Sequence, residues 1–158
     1  MKLYIIPGFN ENCSLKPYQE LKKLAEAKGY EVNFIDVDWK NVLSDQIFDV
    51  SKDAVVFGFS LGAILGRMVA QKNPCKHLIL ASSSVIGSLE EGEDRKLYID
   101  LLGKDFVDDI VTNITDKNLS KRQTTMYGDL EGEDADIIVP NTGHRLNKNY
   151  LKEIDKLL

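Results

Sequence analysis

The sequence predicts an α/β fold, a three-layer sandwich of about six mostly parallel strands with helices on both faces. Three observations point there. Short apolar runs alternate with segments of helical period almost from end to end, and strands alternating with helices form parallel sheets covered on both sides. At 158 residues the chain fits one domain, residues 1–158. A chain of about 150 residues buries roughly 70% of its unfolded surface, so it needs no metal or disulfide staple. No repeat, low-complexity run or linker interrupts the alternation.

Leu3 to Ile6 is the first strand, stopped by Pro7-Gly8. The following helix has Pro17 in its first turn, Tyr18, Leu21 and Leu24 on one face, and Gly29 as its stop. Val32 to Val37 reads as the second strand, and Val42 to Val50 as a short helix capped by Ser44 or Asp45. Ala54 to Phe57 is the third strand. From Ser60 onward, Leu61, Ile64, Leu65, Met68 and Val69 recur at helical spacing as far as Asn73-Pro74. His77 to Ala81 is the fourth strand, followed by the polar triplet Ser82-Ser83-Ser84. Residues 88 to 116 read as two helical pieces broken near Gly103, with Phe106, Val107, Ile110, Val111 and Ile114 sharing a face in the second. Thr124 to Tyr127 and Ile137 to Val139 are short strands. The chain closes on a helix with Tyr150, Leu151, Ile154, Leu157 and Leu158 inward.

Composition narrows the function classes. With 43% hydrophobic and 28% charged residues, disorder, collagen and coiled coil are poor fits. The 20 basic side chains are scattered among 25 acidic ones, for a formal charge of −5, so no basic stripe offers itself to nucleic acid. Cys13 and Cys75 form neither a CxxC pair nor a disulfide framework and read as incidental thiols in a reducing compartment. No apolar run approaches the roughly 20 residues of a membrane span, and MKLYIIPGFN lacks the long apolar region of a signal peptide. The expectation is a cytoplasmic protein with no membrane span and no nucleic-acid partner. Nothing in the sequence indicates its oligomeric state.

The sharpest chemical signal is Gly58-Phe59-Ser60-Leu61-Gly62, a G-x-S-x-G between a strand and a helix. A turn that tight strains the serine backbone and projects its hydroxyl outward, and the flanking glycines remove side chains that would collide with strand and helix. The helix N-terminus aims N–H groups at an oxyanion forming there. The alternative is a helix N-cap serine between two packing glycines, and the strand before and helix after favour a nucleophile instead. A serine needs a base within reach. His77 begins a strand beside Cys75 and Lys76 and reads as a structural or surface histidine. His144, in Pro140-Asn141-Thr142-Gly143-His144 after the last strand, opens at the C-terminal edge of the sheet, where open α/β folds bind ligands. A carboxylate must orient that imidazole. In Tyr127-Gly128-Asp129-Leu130-Glu131-Gly132-Glu133-Asp134 either Asp129 or Glu131 serves, while Glu133, Asp134 and Asp136 read as a solvated loop. Pro7-Gly8-Phe9-Asn10 after the first strand is placed to supply a second oxyanion N–H, at Phe9, beside that of Leu61; it has neither G-x-G-x-x-G nor a Walker lysine.

Together IIPGFN, GFSLGA, YGDLE and PNTGH, in the order serine, acid, histidine, resemble the α/β-hydrolase superfamily over most of the chain, particularly its small, nearly cap-less members. The usual HG before the oxyanion loop is Pro7-Gly8 here, and the leading antiparallel strands are missing. The segment after the acid is too short for its usual helix. The resemblance implies a minimal form of that fold and selects Glu131 as the acid from the family's G-x-x-D spacing. It further implies Ser60 as nucleophile, His144 as base and the Phe9 and Leu61 N–H groups as oxyanion donors. The implied substrate is a small ester, thioester or related acyl compound, and no metal or organic cofactor is needed. With residues 82 to 116 too short for a large lid, the cleft is expected to be open, and Phe9, Phe59 and Val85 are candidates both for an acyl pocket and for the core. A catalytically vestigial binding protein on the same fold is the alternative; the complete set of serine, base and acid weighs against it.

Overall fold

A computed structural model describes residues 1–83 and 87–158; the expected triplet member Ser84 and the expected pocket residue Val85 lie outside the described residues. Among the described residues, six strands form one sheet: β1 (Lys2–Ile6), β2 (Glu31–Phe34), β3 (Val55–Phe59), β4 (His77–Ala81), β5 (Gln123–Gly128) and β6 (Ile137–Val139). Their order is β2-β1-β3-β4-β5-β6, and every neighbouring pair is parallel. The helices are α1 (Lys16–Ala27), α2 (Leu61–Lys72), α3 (Gly87–Glu90), α4 (Gly92–Leu102), α5 (Lys104–Asn113) and α6 (Lys148–Leu157).

The period of two in the strands divides the core into two halves. Leu3 and Ile5 of β1, Val55, Phe57 and Phe59 of β3, and Ile79 and Ala81 of β4 face one side. There they meet Tyr18, Leu21 and Ala25 of α1 and Tyr150, Leu151 and Ile154 of α6. Ile6, Val56, Leu78 and Leu80 face the other side, against Ile64, Leu65, Met68 and Val69 of α2 and Phe106, Val107 and Ile110 of α5. The expected three layers are present. From Leu61 to Gln71 every α2 residue except Arg67 is buried, as expected of a helix apolar on nearly all sides that lies between a sheet and a second helix layer. No helix among the described residues is long and apolar enough to cross a membrane.

Several boundaries differ from expectation for physical reasons. The second strand ends at Phe34, not Val37, because its sole neighbour β1 runs out: Ile35 N–H donates to Ile5 O at 3.0 Å, and Pro7 follows soon after with no N–H to offer. The helix expected over 42–50 is only a 3₁₀ turn, Ser44–Gln46, and neither Ser44 nor Asp45 caps it. Tertiary contacts take its polar groups instead. The Ser44 N–H and hydroxyl both donate to the Asp109 carboxylate, and the Gln46 amide donates back to Asp38 O and Asn41 O. Residues 88 to 116 form three pieces, with the expected break at Gly103 (φ +89°) and another at the extended Glu91.

His77 is structural. It is 4% exposed, and its Nε2 lies 2.8 Å from Thr124 Oγ1 on β5. Burial, then the charges of Arg122 and Lys76, lowers its pKa from the ordinary 6.5 to about 4. The unfolded chain therefore takes up the proton first. The stability this neutral histidine contributes is full above about pH 6.5 and falls by about 3 kcal/mol as pH drops towards 4. His77→Gln, which keeps a polar group near Thr124, should flatten that part of the acid limb in urea unfolding. Parallel stability–pH curves for the two proteins would reject this account.

Candidate active site

Ser60 joins β3 to α2 with φ +54° and ψ −126°, a conformation that costs a non-glycine residue strain. Its N–H donates to Ala81 O at 2.9 Å and so extends the β3–β4 ladder through the turn. A Cβ at Gly58 would lie 2.4 Å from Gly62 O, and one at Gly62 would lie 2.2 Å from Pro7 O, so the chain passes there only as glycine. The Ser60 side chain makes no capping bond to α2, which removes the N-cap alternative. Its Oγ instead lies 2.9 Å from His144 Nε2.

The other ring nitrogen, Nδ1, lies 2.9 Å from Glu131 Oε2. His144 is half exposed (53%), whereas the Glu131 side chain is shielded at 10%. Oε1 of Glu131 accepts from Gly128 N–H at 2.8 Å and from the Ser82 hydroxyl at 2.7 Å, and the Tyr150 hydroxyl reaches it at 3.0 Å. Burial works to raise this carboxyl's pKa, but the donors from Gly128, Ser82, His144 and Tyr150 outweigh it and hold the group below the usual glutamate value. It is therefore ionised, and His144 Nδ1 carries the proton between them, leaving Nε2 free to accept from Ser60.

Asp129 does other work. Its two oxygens accept from the Asn141 and Thr142 N–H groups, each at 2.9 Å, and these bonds lower its pKa. Leu130 N–H donates to Thr142 O at 3.0 Å from the same turn. Asp129 thus clamps the loop that carries His144, and Glu131 is the carboxylate that touches the imidazole.

Across the cleft, Gly8-Phe9-Asn10-Glu11 is a turn closed by Glu11 N–H on Gly8 O at 3.0 Å, with Asn10 left-handed at φ +56°. The buried Tyr18 hydroxyl accepts from Gly8 N–H at 3.0 Å and donates to Glu11 Oε2, tying the turn to α1. The Phe9 ring packs edge-on against Trp39. Among the described residues neither the Phe9 nor the Leu61 N–H is matched with an acceptor. Both residues line a cleft of about 440 Å³ with Ser60, His144 and, from α4, Tyr98 and Leu101. The segment expected to leave the cleft open therefore supplies one of its walls. Phe59 is 3% exposed and lies outside the cleft, its ring packed 5.4 Å from that of His144.

No family model and no curated protein matches the sequence. Solved structures do. Over 99% of its length the chain superposes on alpha/beta hydrolase domain-containing protein 10 from mouse, at TM-score 0.72 and 13% identity, covering 87% of that chain. It is similar over 99% to Est1E from Butyrivibrio proteoclasticus, at TM-score 0.66 and 14% identity, covering 84% of that chain. It is similar over 98% to the NocB thioesterase domain in covalent complex with a fluorophosphonate nocardicin G analog, at TM-score 0.57 and 15% identity, covering 91% of that domain.

The chain has the α/β-hydrolase fold.

In this α/β-hydrolase fold Ser60, Glu131 and His144 follow β3, β5 and β6, all at the C-terminal edge of the sheet. Two polar residues at that edge escape sequence reasoning. Ser82, fully buried with φ +45°, belongs to the polar triplet after the fourth strand, and nothing in the sequence points it at Glu131. Tyr150 sits on the inward face of α6, where helical period reads it as core, and no sequence signal marks its hydroxyl. The division between the two carboxylates has a direct test. Asp129→Asn should speed hydrogen exchange at the Asn141 and Thr142 amides and lower the melting temperature, while Glu131→Gln should leave those amides protected. Equal protection in both variants would deny Asp129 the clamp.

Proposed function

We propose that the chain is a serine hydrolase that cleaves an ester, thioester or related acyl bond. One observation carries this above all: the unbroken line Ser60 Oγ, His144 Nε2, His144 Nδ1, Glu131 Oε2, with 2.9 Å at both contacts, although 84 residues separate the serine from the histidine. Ser60 Oγ attacks the substrate carbonyl carbon as its proton passes to Nε2. The carbonyl oxygen, now negative, is held by the Phe9 and Leu61 N–H groups, aided by the α2 N-terminus. When the tetrahedral adduct collapses, the bond to the leaving group breaks and Nε2–H protonates that group. Water then attacks the acyl-Ser60 carbonyl, losing its proton to Nε2, and Ser60 departs with that proton. Glu131 stabilises the imidazolium in both halves and keeps Nδ1 protonated in between. The neighbouring folds support the reading: they include an esterase-named protein and a thioesterase domain captured as a fluorophosphonate adduct.

The purified protein should be labelled by a fluorophosphonate probe at Ser60 and should hydrolyse short p-nitrophenyl esters, and Ser60→Ala should lose both. A wild-type protein that does neither would favour a vestigial binding protein. His144→Ala should lower kcat by a factor on the order of 10⁶, whereas His77→Ala should retain nearly all of it in protein that remains folded. The opposite ranking would sink the assignment. Glu131→Gln should reduce kcat more than Asp129→Asn, because it removes the charge beside the imidazole itself. A larger loss in Asp129→Asn would reject Glu131 as the acid and leave the rest of the mechanism standing.

A further inference from the structure

We infer that a second cavity beside His144 is a subsite for a small organic cation, an alkylammonium group, on the leaving-group side of the substrate. As a substrate assignment it rests on the serine-hydrolase reading. His144 is shared by two cavities. The larger contains Ser60, Phe9 and Leu61, and with them the place of the reacting carbonyl. The other, about 370 Å³, contains none of these three. The departing group takes its proton from His144, so whatever is attached to it lies beside the imidazole, which this second cavity shares.

The walls of that cavity select a sign of charge. Tyr98 and Tyr127 contribute two aromatic rings, Leu130 an apolar side chain that is 75% exposed, and Glu131 and Glu133 two carboxylates. Glu131 is committed to His144 and its three other donors. Glu133 makes no ion pair among the described residues. It lines the same cavity as the Tyr127 and Tyr98 side chains. Aromatic faces attract cations through their quadrupole, most usefully weakly hydrated alkylammonium ions. An unpaired carboxylate adds the counter-charge, and Leu130 offers an apolar surface to N-alkyl groups. The neighbouring cation Arg145 lines a different cavity with Lys16 and Glu20 and makes no ion pair with Glu133 among the described residues. An anionic leaving group would meet Glu133 with like charge.

Tetramethylammonium is the direct probe. By titration calorimetry at pH 8 the wild-type protein should bind it with Kd on the order of 10 mM or tighter. Glu133→Gln should weaken binding about fivefold or more, and Glu133→Asp should restore most of it. Binding should also weaken as sodium chloride is raised, because the pair is partly exposed. For turnover, the butyryl ester of choline should exceed its uncharged 3,3-dimethylbutyl isostere in kcat/KM by about tenfold, and Glu133→Gln should bring that ratio to within about twofold of one. A protein that labels at Ser60 and cleaves the neutral ester, yet shows neither tetramethylammonium binding nor an ester ratio sensitive to Glu133, overturns the subsite and leaves the serine reading intact. A protein that binds tetramethylammonium through Glu133 but neither labels nor turns over either ester upholds the subsite and rejects the serine reading.

Discussion

The shielded carboxylate of Glu131 ties together four separate segments at the C-terminal edge of the sheet. Oε2 meets His144 from the loop after β6, while Oε1 gathers Gly128 N–H from the end of β5, the Ser82 hydroxyl from the end of β4 and the Tyr150 hydroxyl from α6. Leaving a shielded charge without partners costs several kcal/mol. Withdrawing any one of the four segments would remove one of the bonds that offset that penalty. The charge beside the imidazole and the packing of the sheet edge thus enforce one another. Ser82, whose hydroxyl makes one of these bonds, is held left-handed although it is not glycine.

Topology explains why the remaining groups converge on the same place. From β1 the chain moves outward to β2, returns across the sheet to β3, and continues to β4 on the far side. The loops after β1 and β3 diverge to opposite faces, opening the crevice where parallel α/β sheets bind ligands. The Phe9 turn and the Ser60 elbow are those two loops. They approach so closely that a single methyl on Gly62 would overlap Pro7 O, which places the Leu61 and Phe9 N–H groups on one cleft. Tyr18, reaching up from α1 to Gly8 and Glu11, braces the turn from the opposite layer.

What the sequence makes legible is what leaves a local trace. The alternation of strands and helices, the elbow glycines and the loop before the last helix all appear within a few residues, and their elements appear within a few residues of the expected limits. What it hides depends on partners far along the chain. The 3₁₀ turn at Ser44 is one case: its donors go to Asp109, 65 residues away, so cap propensity had no helix to act on. Tyr150 is another, because helical period reports which face of α6 is inward but not that a hydroxyl at the end of an inward ring reaches a carboxylate 19 residues earlier. The choice between Asp129 and Glu131 is open to residue-level reasoning for the same reason: both sit on one acidic turn, and in the structure the loop folded against that turn separates them.

That separation follows from where each carboxylate lies relative to the His144 loop. Asp129, at the first position after β5, faces the backbone of Asn141 and Thr142, and its short side chain meets two N–H groups that β6 no longer pairs. Glu131 stands two residues further on, where Glu131 N–H closes a turn onto Gly128 O. Its longer side chain folds back under that turn, so one oxygen bonds Gly128 N–H while the other extends to the ring. The loop that carries His144 passes close over this turn, since a Cβ at Gly128 would lie 2.0 Å from Thr142 O. One carboxylate therefore sets where the histidine loop lies, and the other sets how the imidazole points within it. Neither position could exchange its acid with the other without losing the bonds that define its task, since an aspartate's backbone clamp and a glutamate's reach are matched to two different distances from the same strand end.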